Sequence, residues 1–291
     1  METSELLKRV RKIEIKSRGL TNQIFSGQYH SAFKGRGMAF SEVREYNYGD
    51  DIRSIDWNVT ARFDHPYVKI FEEERELTVM MLIDVSGSNN FGTQQQLKTE
   101  KITEIAAVLA FSAIQNNDKV GVIFFSDKVE KFIPPKKGTS HILRIIRELV
   151  DFKPESRLTK LSEPLRFLTN AIKKRCTAFL LSDFMDTGFS DAIKIASRKH
   201  DLVGIRIVDK REAEIPPVGL LKIRDFESNK TFWVDTSGKK FQETHKSRWQ
   251  LHEKLLHDIF VKSRMDVATV NTDEDFIKPL IKLFKKRESR F

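Results

Sequence analysis

The 291 residues carry 51 Lys and Arg against 41 Asp and Glu, a formal charge of +10, with 40% hydrophobic and 32% charged residues. That balance describes a water-soluble chain long enough for one large domain or two smaller ones. No apolar run approaches the roughly 20 residues that cross a bilayer, and the opening METSELLKRVRKIEIKSRG lacks the apolar stretch of an export signal. The single cysteine, Cys176, excludes an internal disulfide and reads as core filler, so a cytoplasmic setting is expected.

Both ends are basic, with Lys8, Arg9, Arg11, Lys12, Lys16 and Arg18 at the front and Lys282, Lys285, Lys286, Arg287 and Arg290 at the back. Basic ends attract nucleic acid or anionic membrane. No aromatic platform is interleaved with either cluster, so a solvated surface is the plainer reading and nucleic-acid binding the alternative. The first 75 residues hold few apolar runs. Glycines at 35, 37 and 49 mark turns, and Phe40, Tyr46, Tyr48, Trp57, Tyr67 and Phe71 mix with paired charges. This is a flank that needs the rest of the chain for a core. GRGMAF lacks the third glycine of a dinucleotide fingerprint. Asp50, Asp51, Arg53, Asp56, Trp57 and Arg62 alternate charge with apolar anchors. They read as an ion-paired clamp with Trp57 buried, a partner surface being the alternative.

From about residue 76, apolar strands alternate with amphipathic helices. The expected strands are 76–84, 119–126, 129–134, 177–183, 202–208 and 266–271. A helix over 96–114 carries Leu97, Ile102, Ile105, Leu109 and Ile114 on helical spacing. Helices are also expected in TSHILRIIRELVDF, TKLSEPLRFLTNAIKK and FSDAIKIASRKH, each opened by an N-cap, then around 245–263 and in EDFIKPLIKLFKKR. Strands apolar along most of their length, separated by helices, argue for a mostly parallel sheet covered on both faces. The fold class is therefore α/β, a doubly wound domain over 76–291 behind a flanking segment over 1–75. FFSDKVEKF adds an antiparallel edge strand, and residues 209–245 insert a β-hairpin.

The first strand stops at a carboxylate in VMMLIDVSGSNNFG, where Asp84, Ser86 and Ser88 place three hard oxygens within five residues. A metal cradle, a nucleophile with helpers and a capped turn all fit that pattern. Ligands of doubly wound sheets bind beyond the carboxyl ends of strands. Hydroxyls with one or two carboxylates suit Mg²⁺, which keeps several waters. Asp183 ends TAFLLSD as Asp84 ends VMMLID, and Thr159 opens the helix between them, with Ser156 and Thr169 nearby but less neatly placed.

Asp84, Ser86, Ser88, Thr159 and Asp183 together resemble the metal-ion-dependent adhesion site of von Willebrand factor A domains. That resemblance implies Mg²⁺ or Mn²⁺ held by the hydroxyls, with the aspartates acting partly through water. Asn89-Asn90 depart from the bulky apolar residue usual after the second serine, which touches loop packing and leaves the oxygens unaffected. REYNYGDDIRSIDWNVTAR followed by VKIFEEERE resembles the hallmark of the bacterial family catalogued as domain of unknown function 58. Membership implies work beside MoxR-type AAA+ ATPases. The expected function is a non-catalytic module whose cation takes a partner's carboxylate. A phosphohydrolase using Asp84 as nucleophile would want a carboxylate at position 86, where serine stands. No G-x-S-x-G or H-E-x-x-H occurs, and His252 and His257 are expected at the surface.

Overall fold

A computed structural model describes residues 3–21, 37–63, 65–74, 77–91, 97–224 and 230–289. The chain divides into two compact units: 34–77 forms one, and 1–33 with 78–291 the other. The expected flank over 1–75 is thus split. Its first part is a helix, α1 (Thr3–Leu20), which buries Val10 and Ser17 and reaches the larger sheet's covering layer through Lys16, 2.8 Å from Glu104.

The larger unit is built on a six-stranded sheet. Its strands are β3 (Thr78–Asp84), β4 (Lys119–Phe125), β5 (Val129–Lys136), β6 (Thr177–Ser182), β7 (Asp201–Val208) and β10 (Asp266–Asn271), in the order β10-β7-β6-β3-β4-β5. All neighbours are parallel except β4 and β5, which pair antiparallel with Val122 opposite Ile133. The four central strands are buried along nearly their whole length, which is why they read as continuous apolar runs.

Helix α3 (Lys98–Gln115) is buried almost all round, its Ala and Ile residues giving the close approach that demands. On one face of the sheet Met80, Leu82, Ile123, Leu165, Leu168 and Leu180 share a core, each large side chain contributing about 1.5–3 kcal/mol. The covering helices are α4 (Thr139–Val150), α5 (Ser162–Ala171), α6 (Ser190–Lys199), α8 (Lys239–Ser263) and α9 (Ile277–Glu288). Gly138, Leu161 and Phe189 stand at the starts of α4, α5 and α6, and no side chain caps them there. This corrects the expected caps. Thr159 does not open a helix either: α5 begins three residues later, at Ser162.

Gly121 marks the tightest spot in the sheet. A Cβ there would lie 2.7 Å from Met80 Sδ, 2.9 Å from Pro135 N and 3.0 Å from Ile133 O. Two of those neighbours are backbone of the paired strand and cannot swing away. Gly121→Ala is expected to cost about 1–3 kcal/mol through overpacking, read as a lower urea midpoint; an unchanged midpoint would refute the clash.

The hairpin insertion forms as expected, β8 (Leu220–Arg224) pairing antiparallel with β9 (Thr231–Asp235) behind a four-residue helix, α7 (Lys210–Ala213). His252 is half-buried, with its Nε2 enclosed and without a partner among the described residues, so only His257 meets the surface expectation.

The smaller unit pairs β1 (Gly37–Glu45) antiparallel with β2 (Tyr67–Glu74), with a bulge between Phe40 and Glu42 and a short helix, α2 (Trp57–Phe63), in the connection. The hallmark aspartates hold this connection. Asp50 takes a two-pronged bond from Arg44 at 2.8 and 2.7 Å. Asp51 accepts from Arg53 N–H at 2.9 Å, and Asp56 accepts from the Asn58 and Val59 N–H groups at 3.0 and 3.3 Å. Trp57 is 67% exposed, not buried as expected. With Asp56 turned inward to cap the helix, its neighbour at the first helical position faces out.

Candidate functional site

Strands β3 and β6 lie side by side and parallel, yet the chain leaves β3 towards β4 on the other flank. Between them is the point where strand order reverses, and a crevice opens at the carboxyl ends. Asp84, the last residue of β3, is 2% exposed. Its Oδ1 accepts from Ser86 N–H at 3.0 Å and its Oδ2 from the Ser182 hydroxyl at 2.6 Å. The Ser86 and Ser88 hydroxyls are 3.1 Å apart. Asn89 donates its amide to the Asp84 carbonyl at 3.1 Å, which turns the loop back over the strand end.

Asp183 follows β6 and is equally enclosed. Its Oδ1 accepts from Met185 N–H, and its Oδ2 takes Lys98 Nζ, each at 3.1 Å. Lys98 is fully buried at the first turn of α3 and also reaches Glu212 Oε1 at 2.5 Å. Burial acts to lower the Lys98 ammonium, but Asp183 and Glu212 more than reverse it, so it sits above its ordinary value. Glu212 is in turn fixed by a capping box with Asp209, whose Oδ2 accepts from Thr272 at 2.8 Å. Burial, with the Asp183 charge behind it, pushes the Asp84 carboxyl up to about 7.

The loop bearing Thr159 is tied to this cluster on three sides. Gly87 N–H donates to Arg157 O at 2.9 Å, Lys160 N–H to Ser126 O at 3.1 Å, and Leu161 N–H to Asp186 Oδ2 at 2.7 Å. The four residues 84, 86, 88 and 183 thus meet at adjoining strand ends, while Thr159 approaches on a half-buried coil segment.

The donor chemistry fits a hard divalent cation. Two buried carboxylates repel across the crevice, two hydroxyls stand together, and Asn89 Oδ1 is buried beside them with no partner among the described residues. Among the described residues no three His, Cys, Asp or Glu side chains form a metal cage, so a cation here would rest chiefly on hydroxyls and water.

Sequence reasoning missed Ser182, Lys98, Glu212 and Asp186. Only Glu212 had a local signal, the D-x-x-E capping pattern of Asp209 to Glu212. Lys98 reads as an ordinary polar start to a helix.

Residues 42–254 match the family described as protein of unknown function DUF58. The chain belongs to the DUF58 family. This DUF58 chain is 26% identical over 231 residues to the uncharacterized protein Rv1480 of Mycobacterium tuberculosis, covering 78% of its own length and 73% of the relative. In fold it is similar to the conserved hypothetical protein BatB of Bacteroides thetaiotaomicron, with a TM-score of 0.47 and 17% identity over 73% of this chain and 99% of that one. It is also similar to the SpRpn10 VWA domain, with a TM-score of 0.39 and 10% identity over 71% and 94%. The strand order, parallel but for one edge pair, is that of the doubly wound α/β fold expected from the sequence. Among the described residues no helix is long and apolar enough to cross a membrane.

Proposed function

We propose that the loops beyond β3 and β6 hold Mg²⁺ or Mn²⁺ and that the chain uses the ion to capture a carboxylate of a partner protein. The buried pair Asp84 and Asp183, set beside the Ser86 and Ser88 hydroxyls, carries this reading. The resemblance of Asp84, Ser86, Ser88, Thr159 and Asp183 to the adhesion site of von Willebrand factor A domains supports a protein-interaction module in general. A MoxR-type AAA+ ATPase as companion, in the cytoplasm or at the membrane periphery, is the finer step that the family resemblance suggests.

When bound, the cation supplies a coordination position open to an incoming Asp or Glu. The chain's own residues do the rest. Asp84 as a carboxylate, the Ser86 and Ser88 hydroxyls and Thr159 on the tethered loop would hold the ion. Lys98 keeps Asp183 oriented and limits the charge: Asp84, Asp183 and Glu212 against one ammonium leave −2 when all are ionised. The reading is non-catalytic.

Calorimetric titration with Mg²⁺ should give saturable binding that Asp84→Ala abolishes. Capture of the MoxR-type ATPase of the same genome should fail in chelator and in Asp84→Ala. Capture surviving both treatments would overturn the proposal.

A further inference from the structure

At the other end of the sheet, where β6 and β7 begin, the last turns of α6 and α8 leave a cavity of about 580 Å³. Five cations line it, Arg175, Lys194, Arg198, Lys262 and Arg264, against the single carboxylate of Asp201. That carboxylate is already engaged, its Oδ2 accepting from Arg287 Nη2 at 2.5 Å. Lys194 holds Asp191 at 3.1 Å on its own helix. The other four cations form no ion pair with a described residue. A complement to helix dipoles accounts for Arg198 and Lys262, which stand in the last turns of α6 and α8. It does not account for Arg175, which precedes β6. Arg264 sits in the left-handed region at φ 54°, a position past a helix end that ordinarily favours glycine.

Two residues of the lining each carry an enclosed polar atom with no partner among the described residues, Ser197 Oγ and His200 Nε2. His200 is fully buried, with Nδ1 3.2 Å from Cys176 Sγ. Burial pushes the Cys176 thiol up to about 12, so the sulfur keeps its proton. Burial, with Lys199 and Arg175 adding to it, pulls the His200 ring down to about 4 and keeps it neutral.

We propose that this cavity binds a small molecule bearing two or more phosphate groups, with Arg175 and Arg264 clasping the phosphates and the Ser197 hydroxyl donating to them. Guanidinium forks match phosphate oxygens two at a time. Four cations without an ion-pair partner among the described residues call for more charge than one phosphate brings. The volume falls within the roughly 300–1,000 Å³ of small-molecule sites. The cavity lies at the opposite strand ends from Asp84, so the proposal stands apart from the cation reading.

Calorimetry on the full chain at constant ionic strength, using pyrophosphate, ADP, orthophosphate and adenosine, tests it. Pyrophosphate and ADP are expected to bind, orthophosphate at least about tenfold more weakly, and adenosine not at all. Equal affinity for pyrophosphate and ADP would make the diphosphate the whole of the recognised group, whereas tighter ADP would make the ligand a nucleotide. Arg175→Glu with Arg264→Ser should weaken binding by about 30-fold or more, and Ser197→Ala alone by about fivefold. Asp84→Ala should leave it unchanged. Absence of binding by both diphosphates, or binding undiminished in the double variant and in Ser197→Ala, would overturn the assignment.

Discussion

Lys98→Met is expected to lower the stability of the folded chain by about 3–5 kcal/mol, the loss typical of breaking a buried ion pair from one side. Methionine fills nearly the same volume, so the loss isolates the charge. Asp183, 2% exposed, and Glu212, 21% exposed, would then share a crevice with no counter-ion between them. Urea unfolding at neutral pH reads the effect as a lower midpoint with an unchanged slope. Adding Glu212→Gln to the variant should recover part of the loss, because it removes one of the two orphaned charges. A drop below about 1 kcal/mol in the single variant would show that the ammonium contributes little.

Asp84→Asn is expected to act in opposite directions with and without a divalent ion. The folded carboxyl titrates near 7, whereas an unfolded aspartate titrates at 3.8. Between those values the folded chain binds more protons than the unfolded one, so this group's contribution to stability falls as pH rises from about 4 to 7 and is flat above. Three pKa units set a ceiling of about 4 kcal/mol on that penalty. Asparagine removes it. The amide offers only one acceptor where Asp84 uses two, so one bond from Ser86 N–H or Ser182 Oγ–H is lost at about 1–2 kcal/mol. Without metal, at about pH 8, the variant should therefore be more stable than the natural chain by up to about 2–3 kcal/mol. In Mg²⁺ at a thousandfold excess over Kd the natural chain should gain about 4.1 kcal/mol and the variant nothing, which reverses the order. Thermal melts at about pH 5 and pH 8, each with Mg²⁺ and with chelator, check both signs. A variant that loses stability in chelator, or that keeps its response to Mg²⁺, would contradict the account.

The parallel strands were legible because burial on both faces leaves no room for alternation. VMMLID, VIFF and TAFLL are apolar end to end, and charges punctuate them where the strands stop. Helix α1 escaped notice because its surface is mostly Lys and Arg, whose long stems cover apolar neighbours while their heads stay wet, as Arg18 does over the Phe111 ring. Strands β1 and β2 escaped because their runs carry charges such as Glu42, Arg44, Lys69 and Glu72 that mask a two-residue period. In the candidate site, Asp84, Ser86 and Ser88 are a local pattern and could be read in one line of sequence. Lys98 could not, since its partners stand 85 and 114 positions away and only the folded sheet brings them together. Some of the basic residues at the ends also have work that composition hides. Arg287 is buried and holds Asp266 at 3.1 Å as well as Asp201.

The strand order β10-β7-β6-β3-β4-β5 has a bearing on how the molecule is made. Starting from β3, the strands to one side are β4 then β5, and those to the other are β6, β7 and β10. On both flanks each later strand lies outside the earlier ones. The sheet can therefore grow from its oldest member outward as the chain emerges, every newcomer meeting an open edge and none having to wedge between partners already joined. Asp84 belongs to that oldest strand, and Asp183 arrives with the first addition on its left. The crevice is closed by the same event that joins the two arms of the sheet.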